Sequence, residues 1–388
     1  MNYRQAKKYD RRCILRSGLG LASGLLLPSH VLASTAGASP SLGRPLFASA
    51  CKDQRGRLLV IIFDAESGEL IQSLELPERG HGISLRPSDL GRTQGRELVT
   101  FARRPGNFAV VLDLDEAREP LWLTTRPDRH FFGHGIYSSD GRLLYTTEND
   151  FENGVGVIGV RDATDGYRQV GELPAGGIDP HELALLSDHR TLVVANGGIR
   201  THPDEPRLEN DTATMEPSLA YVDSTTGDVV ERHELPAELH KLSIRHLGVG
   251  GNDTVVFGCQ YRGPAWEVRS NVGRHRRGEA PELLTLPDRL DHRVRNYVAS
   301  VAIDRRGETA AITAPHGGLA VIIEVATGRC LAHHEMPTVS GVAETRDGFL
   351  LTGENGGMSK VGREPSSRIE HWPQHLVAMW DNHAIALD

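Results

Sequence analysis

The chain has 388 residues, a net charge of −8 and an isoelectric point near 6.1. It carries no basic block, which argues against nucleic acid as its main partner. Its 39% apolar and 24% charged content suits a packed core and excludes a disordered chain, while 42 glycines and 21 prolines without a triplet period indicate a turn-rich protein rather than a collagen-like one.

The first residues read as a targeting segment. Arg11-Arg12 precede Cys13-Ile14-Leu15-Arg16, an apolar run spans Gly18 to Leu27, and small residues follow at Val31-Leu32-Ala33. A charged start, an apolar stretch too short to span a bilayer and a small-residue exit make a cleavable signal. The twin arginine points to Tat export, with an ordinary Sec signal as the alternative, and either route leads to the periplasm. Residues 1–33 are therefore expected to be a Tat-type signal peptide, 34–44 a linker and 45–388 the folded domain, a monomer with no transmembrane span. The mature part keeps Cys51, Cys259 and Cys330, an odd number in an oxidising compartment, and buried free thiols are expected.

From residue 45 onward the chain is a series of short apolar runs closed by turn residues. The pattern is clearest between Arg129 and Gly166. There IYSS ends at Asp140-Gly141, LLYTT at Glu148-Asn149-Asp150 and VGVIGV at Asp162-Ala163-Thr164-Asp165-Gly166. A fourth run, Gln169 to Leu173, stops at Pro174. Four antiparallel strands in roughly 45 residues, repeated along the chain, predict a β-propeller. Candidate innermost strands are HGISLRP (81–87), HGIYSSD (134–140), HELALLSD (181–188), HKLSIR (240–245), ASVAID (299–304), SGVAETRD (340–347) and HAIALD (383–388). Fourth strands end in Leu-Pro or Met-Pro at Leu76-Pro77, Leu173-Pro174, Leu235-Pro236 and Met336-Pro337. The series starts one strand late and ends on an unpaired innermost strand. The expected fold is thus all-β: a seven-bladed propeller of four-stranded antiparallel blades, its ring closed by the C-terminal strand joining the N-terminal blade. Two long insertions, 199–217 in blade four and 262–281 in blade five, are read as loops on a rigid scaffold.

VVANGGIRTHP (193–203), TMEPSLAYVDSTTG (214–227), FFGHGIYSSDGRLLYTTEND (131–150) and SIRHLGV (243–249) resemble the domain-of-unknown-function family 1513 over nearly all of the mature chain. These are Tat-exported bacterial propellers of the quinoprotein or YVTN-like superfamily. The resemblance implies a seven-bladed fold and a periplasmic address, and no reaction. Members encoded beside imelysin-type proteins and iron-uptake components make a metal-uptake or imelysin-type partner the expectation it carries.

A histidine leads five of the seven candidate innermost strands: His81, His134, His181, His240 and His383. His246 competes with His240 for the blade-five position, and Ala299 and Ser340 take the place in blades six and seven. The five are expected to form an arc at the mouth of the channel. Imidazole suits zinc, copper and iron, and several such rings can share one ion. Loops on the same face are expected to bring Glu148, Asn149, Asp150, Asn196, His202, Gln260, His316, Glu354 and Asn355 there, as groups that orient the rings or bind a cofactor. Arg103 and Arg104 are candidates for holding an anion. The rival reading is structural, since WD-type propellers use a histidine before the inner strand for bonds within the blade, although here the one Trp-Asp pair, Trp380-Asp381, precedes an inner strand. The leading functional reading is a periplasmic binding propeller that coordinates iron, copper, zinc or a metal-bearing ligand. A metal-dependent redox or hydrolytic enzyme and a metal-free protein-interaction platform are the alternatives.

Overall fold

The computed structural model describes residues 45–387, except 88–95, 105, 116–117, 205–211, 288–289, 363–369 and 372–376. The expected signal peptide and linker, part of the blade-four insertion and Asp388 lie outside the described residues.

Seven four-stranded antiparallel sheets form the blades. In blades two to seven the chain runs from the innermost strand outward. These innermost strands are Gly80–Leu85, Arg129–Tyr137, Pro180–Leu185, Leu242–Val249, Ser300–Ile303 and Val339–Thr345. Blade one is built from both ends of the domain. Its Leu46–Lys52, Leu58–Asp64 and Leu70–Glu75 are completed on the inside by Met379–Ala386. The register pairs Phe47 with Ala386 and Ser49 with Ala384. Ring closure by the last strand is therefore as expected, and it pairs the inner edge of Leu46–Lys52 in the blade-one sheet.

Among the described residues the buried apolar side chains divide into seven clusters, one between each pair of neighbouring blades. Alternation along a strand explains this division. In Leu58–Asp64, residues Leu59, Ile61 and Phe63 pack towards blade seven, and Val60 and Ile62 pack towards blade two. The middle strands, covered on both faces, accordingly read as unbroken apolar runs. The outer strands, such as Leu70–Glu75, are mostly half-exposed. Because the cores lie between blades, no apolar core occupies the axis, and polar side chains can collect there.

Blade five corrects the expected insertion. Residues 262–281 are not one loop, because Val272–His275 supplies the third strand of the blade and Glu282–Leu283 the fourth. The segment that follows carries the α-helix Leu290–Val294, the one α-helix among the described residues. Cys51 and Cys259 are buried free thiols, whereas Cys330 is half-buried on an outer strand. No helix among the described residues is long and apolar enough to cross a membrane.

Candidate metal centre

Five imidazoles meet on the propeller axis. His81, His134, His246 and His383 are buried, and His181 keeps part of its surface open to a cavity. Ring centroids are 4.6 Å apart for His81 and His383, 4.7 Å for His134 and His383, 4.7 Å for His181 and His246, and 4.9 Å for His81 and His134. Two sets have their ring nitrogens within 4.8 Å of one another: His81, His134 and His181, and His134, His246 and His383. His134 belongs to both.

The backbone places these rings by interrupting the ladder. In five blades the pairing of the innermost strand shifts register at the histidine or beside it: between Gly80 and Ile83, Phe131 and Gly135, Pro180 and Glu182, Ile244 and His246, and, on the partner of the last strand, Ser49 and Cys51. A bulge bends its strand and re-aims the side chain it carries. Of the two blades without a histidine here, blade six pairs its inner strand without a shift, whereas blade seven shifts between Val339 and Gly341, around Ser340. Close approach of two backbones completes the arrangement. A Cβ on Gly82 would lie 2.3 Å from the Gly133 carbonyl oxygen, and one on Gly133, whose φ is +103°, would lie 2.8 Å from the His81 ring.

Carboxylates behind the rings fix their orientation. Asp381 accepts from His81 Nδ1 at 3.3 Å and also takes Arg79 at 2.7 Å and Arg103 at 3.3 Å. Glu182 lies 3.0 Å from His246 Nδ1 and 3.8 Å from His134 Nδ1. With Nδ1 donating to a carboxylate, Nε2 is the lone-pair nitrogen, the tautomer a metal ligand requires. The Ser300 hydroxyl sits 3.3 Å from His383 Nδ1. By contrast His134 Nε2, His383 Nε2 and His181 Nδ1 are buried with no hydrogen-bond partner.

Burial and mutual repulsion keep the cluster neutral. Desolvation holds His81 at about 4 and both His134 and His246 at about 3, and takes His181 and His383 well below the ordinary imidazole value. Asp381 is held far below the usual carboxylate range by His81, Arg103 and Arg79 in spite of its burial, whereas desolvation pushes Glu182 up.

Of the residues singled out from sequence, His81, His134, His181 and His383 come together. His240 does not: it caps the short 3₁₀ turn Ala237–Leu239, its Nδ1 2.9 Å from the Ala237 carbonyl, and His246 takes its place. Gln260, Arg103 and Arg104 line a cavity of about 200 Å³ over His81, His181 and His246. The other polar candidates have local partners. Glu148 accepts from the Thr146 hydroxyl and faces Arg161 at 3.6 Å, Asn149 donates to the Thr201 carbonyl, and Asp150 pairs with Arg129 at 3.0 Å. Asn196 donates to the Ala175 carbonyl, and Asn355 accepts from the Gly357 amide within its own turn. Glu354 and His316 line a second, larger cavity, and His202 packs against Phe151. Sequence patterns alone did not bring out Asp381, Glu182 and Arg245 as members of this site. The first two directly adjoin inner-strand positions marked by Trp380 and His181, which is the signal the sequence offers. A further group, Glu231, His233 and His275, lies between the outer parts of blades four and five. Both nitrogens of His275 are engaged there, by the Tyr221 hydroxyl and the Glu279 carbonyl, so it serves as a latch between blades.

Among solved structures the fold is similar to hydrazine synthase of Kuenenia stuttgartiensis, at TM-score 0.55 and 13% identity over 87% of this chain and 98% of that one. It is also similar to the Cps50 (Swd1) β-propeller domain of Myceliophteria thermophila, at 0.53 and 13% over 87% and 99%, and to a chain of a mitotic checkpoint complex, at 0.52 and 10% over 76% of each. At these identities the likeness is one of fold. No curated protein matches the sequence. The family described as "Protein of unknown function (DUF1513)" matches residues 74–387, which span the ring from the end of blade one to the closing strand, and the chain belongs to it.

Proposed function

We propose that this propeller binds a first-row transition-metal ion on its axis, through imidazoles drawn from His81, His134, His181, His246 and His383. One observation carries the reading: three neutral imidazole nitrogens, on His134, His181 and His383, are buried in the centre of the cluster with no hydrogen-bond partner. An orphaned buried polar atom costs about 1–3 kcal/mol, and a cluster of them is retained where something else meets the lone pairs. An all-imidazole donor set suits zinc, copper and iron rather than calcium or magnesium, which prefer oxygen. Asp381 and Glu182 behind the rings supply the orienting carboxylates usual at histidine-bound metals.

Handling of iron or copper in the periplasm, after Tat export and with an imelysin-type or other metal-uptake partner, belongs to the same proposal. It is supported by the leader residues and the family resemblance. The test is metal analysis of the exported, folded protein and of chelator-treated protein reloaded with Fe(II), Cu(II) or Zn(II). About one equivalent of ion per chain, lost in His134→Ala and in His383→Ala, is expected. Failure of all three ions to bind stoichiometrically overturns the reading.

A further inference from the structure

The wall of the 200 Å³ cavity above the cluster carries Arg103, Arg104, Arg245 and Arg262, and no carboxylate among the described residues. Four arginines lining one cavity is a costly arrangement, because like charges repel and each is partly removed from water. Asp381 lies behind Arg103, and Asp179 sits 3.1 Å from Arg245, so the two carboxylates hold these arginines from the rear. Gln260 performs the same service for Arg262, accepting from it at 2.9 Å while its own amide donates to the Val298 carbonyl. Arg103, Arg245 and Arg262 are thus held by these partners and Arg104 stacks over the Phe132 ring at 5.7 Å, and all four line the cavity beside His81, His181 and His246.

A larger cavity adjoins the first. A second space of about 870 Å³ shares Arg262 and Tyr297 with it. Its walls come from the blade-five segment after Tyr261, from the segment around the helix Leu290–Val294, and from Pro315, His316, Thr338 and Glu354 of blades six and seven. Tyr261, Val268 and Pro315 are among the apolar lining, and Asp291 and Glu354 are its carboxylates. Arg295 and Asn296 both adopt left-handed backbone, at φ of 51° and 57°, to turn the chain past this wall. Asn296 anchors the facing segment by donating to the Glu267 carbonyl and accepting from the Arg269 amide. The blade-five segment and the helix segment that line this vestibule are additions to the plain four-strand repeat.

The geometry points to one continuous binding site for a small organic polyanion: carboxylates between Arg103, Arg104, Arg245 and Arg262, and the carbon body in the vestibule against Tyr261, Tyr297 and Val268. Guanidinium forks match carboxylates in two-point contacts, and several such forks favour a ligand with two or more acidic groups. The volume of the vestibule favours an organic molecule over a bare inorganic oxyanion. The site adjoins the metal centre and does not depend on it, since the arginines recognise the anion with or without an ion on the axis. His134 and His383 belong to the histidine cluster and do not line the cavity.

The experiment is calorimetric titration of the mature protein, chelator-treated, with citrate, with inorganic phosphate and with uncharged glycerol. Citrate is expected to bind, phosphate at least about tenfold more weakly, and glycerol not at all. Arg104→Gln and Arg262→Gln are each expected to weaken citrate about ten- to a hundredfold, the scale of one charge-assisted contact. Arg104→Lys and Arg262→Lys, which keep the charge and lose the fork, serve if either glutamine variant fails to fold. His383→Ala is expected to lose the metal and keep citrate, which separates failure of this inference from failure of the metal reading. Absence of citrate binding, phosphate binding as tight as citrate, or citrate affinity unchanged in the arginine variants overturns it.

Discussion

His81 Nδ1 lies 3.3 Å from the carboxylate of Asp381, a residue 300 positions further along the chain. The contact joins the inner strand of blade two to the strand that closes blade one, so the orientation of one imidazole depends on closure of the ring. Asp381→Asn removes the charge that holds His81 in its Nδ1–H form. It is expected to weaken metal binding about ten- to a hundredfold in a chelator competition, the usual effect of losing such a partner. Arg79, which is partly exposed and pairs with the other oxygen of Asp381, supplies the control. Arg79→Ala should leave metal affinity within about twofold, because a half-exposed ion pair contributes little.

Gly82 and Gly133 sit where the two inner strands touch, and each is the space in which the other blade's histidine packs. Gly133→Ala faces both a positive φ and the His81 ring, and should destabilise the fold by more than about 1 kcal/mol while displacing His81. Gly82→Ala meets the Gly133 carbonyl and His134 Nδ1, and should likewise lose metal binding. At Gly171 an added Cβ would meet nothing within 4 Å, so this position should accept alanine within about 0.5 kcal/mol. Denaturant melts with metal titrations of the three variants check this order. Equal metal affinity in all three would contradict it.

Acid should unfold the metal-free protein through the histidines first. The folded chain holds His81 near 4 and His134 and His246 near 3, against an ordinary value of 6.5. Below 6.5 the unfolded chain binds protons that the folded chain refuses. The stability carried by these neutral rings is therefore full above that pH and is lost progressively down to the folded values. Each such ring costs about 1.4 kcal/mol per pH unit across the window. Asp381 acts at lower pH. Its depressed value means that its contribution is present above the ordinary carboxylate range and is lost only as pH falls below it. Thermal melts of chelator-treated protein from about pH 7 to about pH 4 should show a steep fall in Tm, shallower in His246→Ala. A flat profile would show that the rings are not buried neutral.

The closing strand should be indispensable. Trp380 is fully buried, packs 5.1 Å from the Phe63 ring and belongs to the cluster between blades seven and one. Trp380→Ala should cost about 3–5 kcal/mol. Removing residues 379–388 exposes the inner edge of Leu46–Lys52 and should abolish cooperative unfolding of the propeller. An unchanged Tm in the truncated chain would contradict the closure.

The strand runs, their turns and the leading histidines are local properties, and the residues by themselves determined the number of blades, the closing strand and four of the five imidazoles. What the linear pattern could not determine is how a two-residue repeat behaves at a bulge. His240 stands at the head of its run as the other histidines do, yet the chain there turns through Ala237–Leu239, and the shift between Ile244 and His246 brings the later histidine to the axis. The carboxylates were hidden for a different reason. Asp381 reaches His81 only when the ends of the domain share a blade, and Glu182 reaches His246 only across the gap between blades four and five. The four arginines likewise come from blades two and five and share a cavity only in the closed ring. Strand identity follows from short-range alternation, but the charge around the axis follows from contacts between residues far apart in the chain, and those exist only once seven separate cores have packed the blades into a circle.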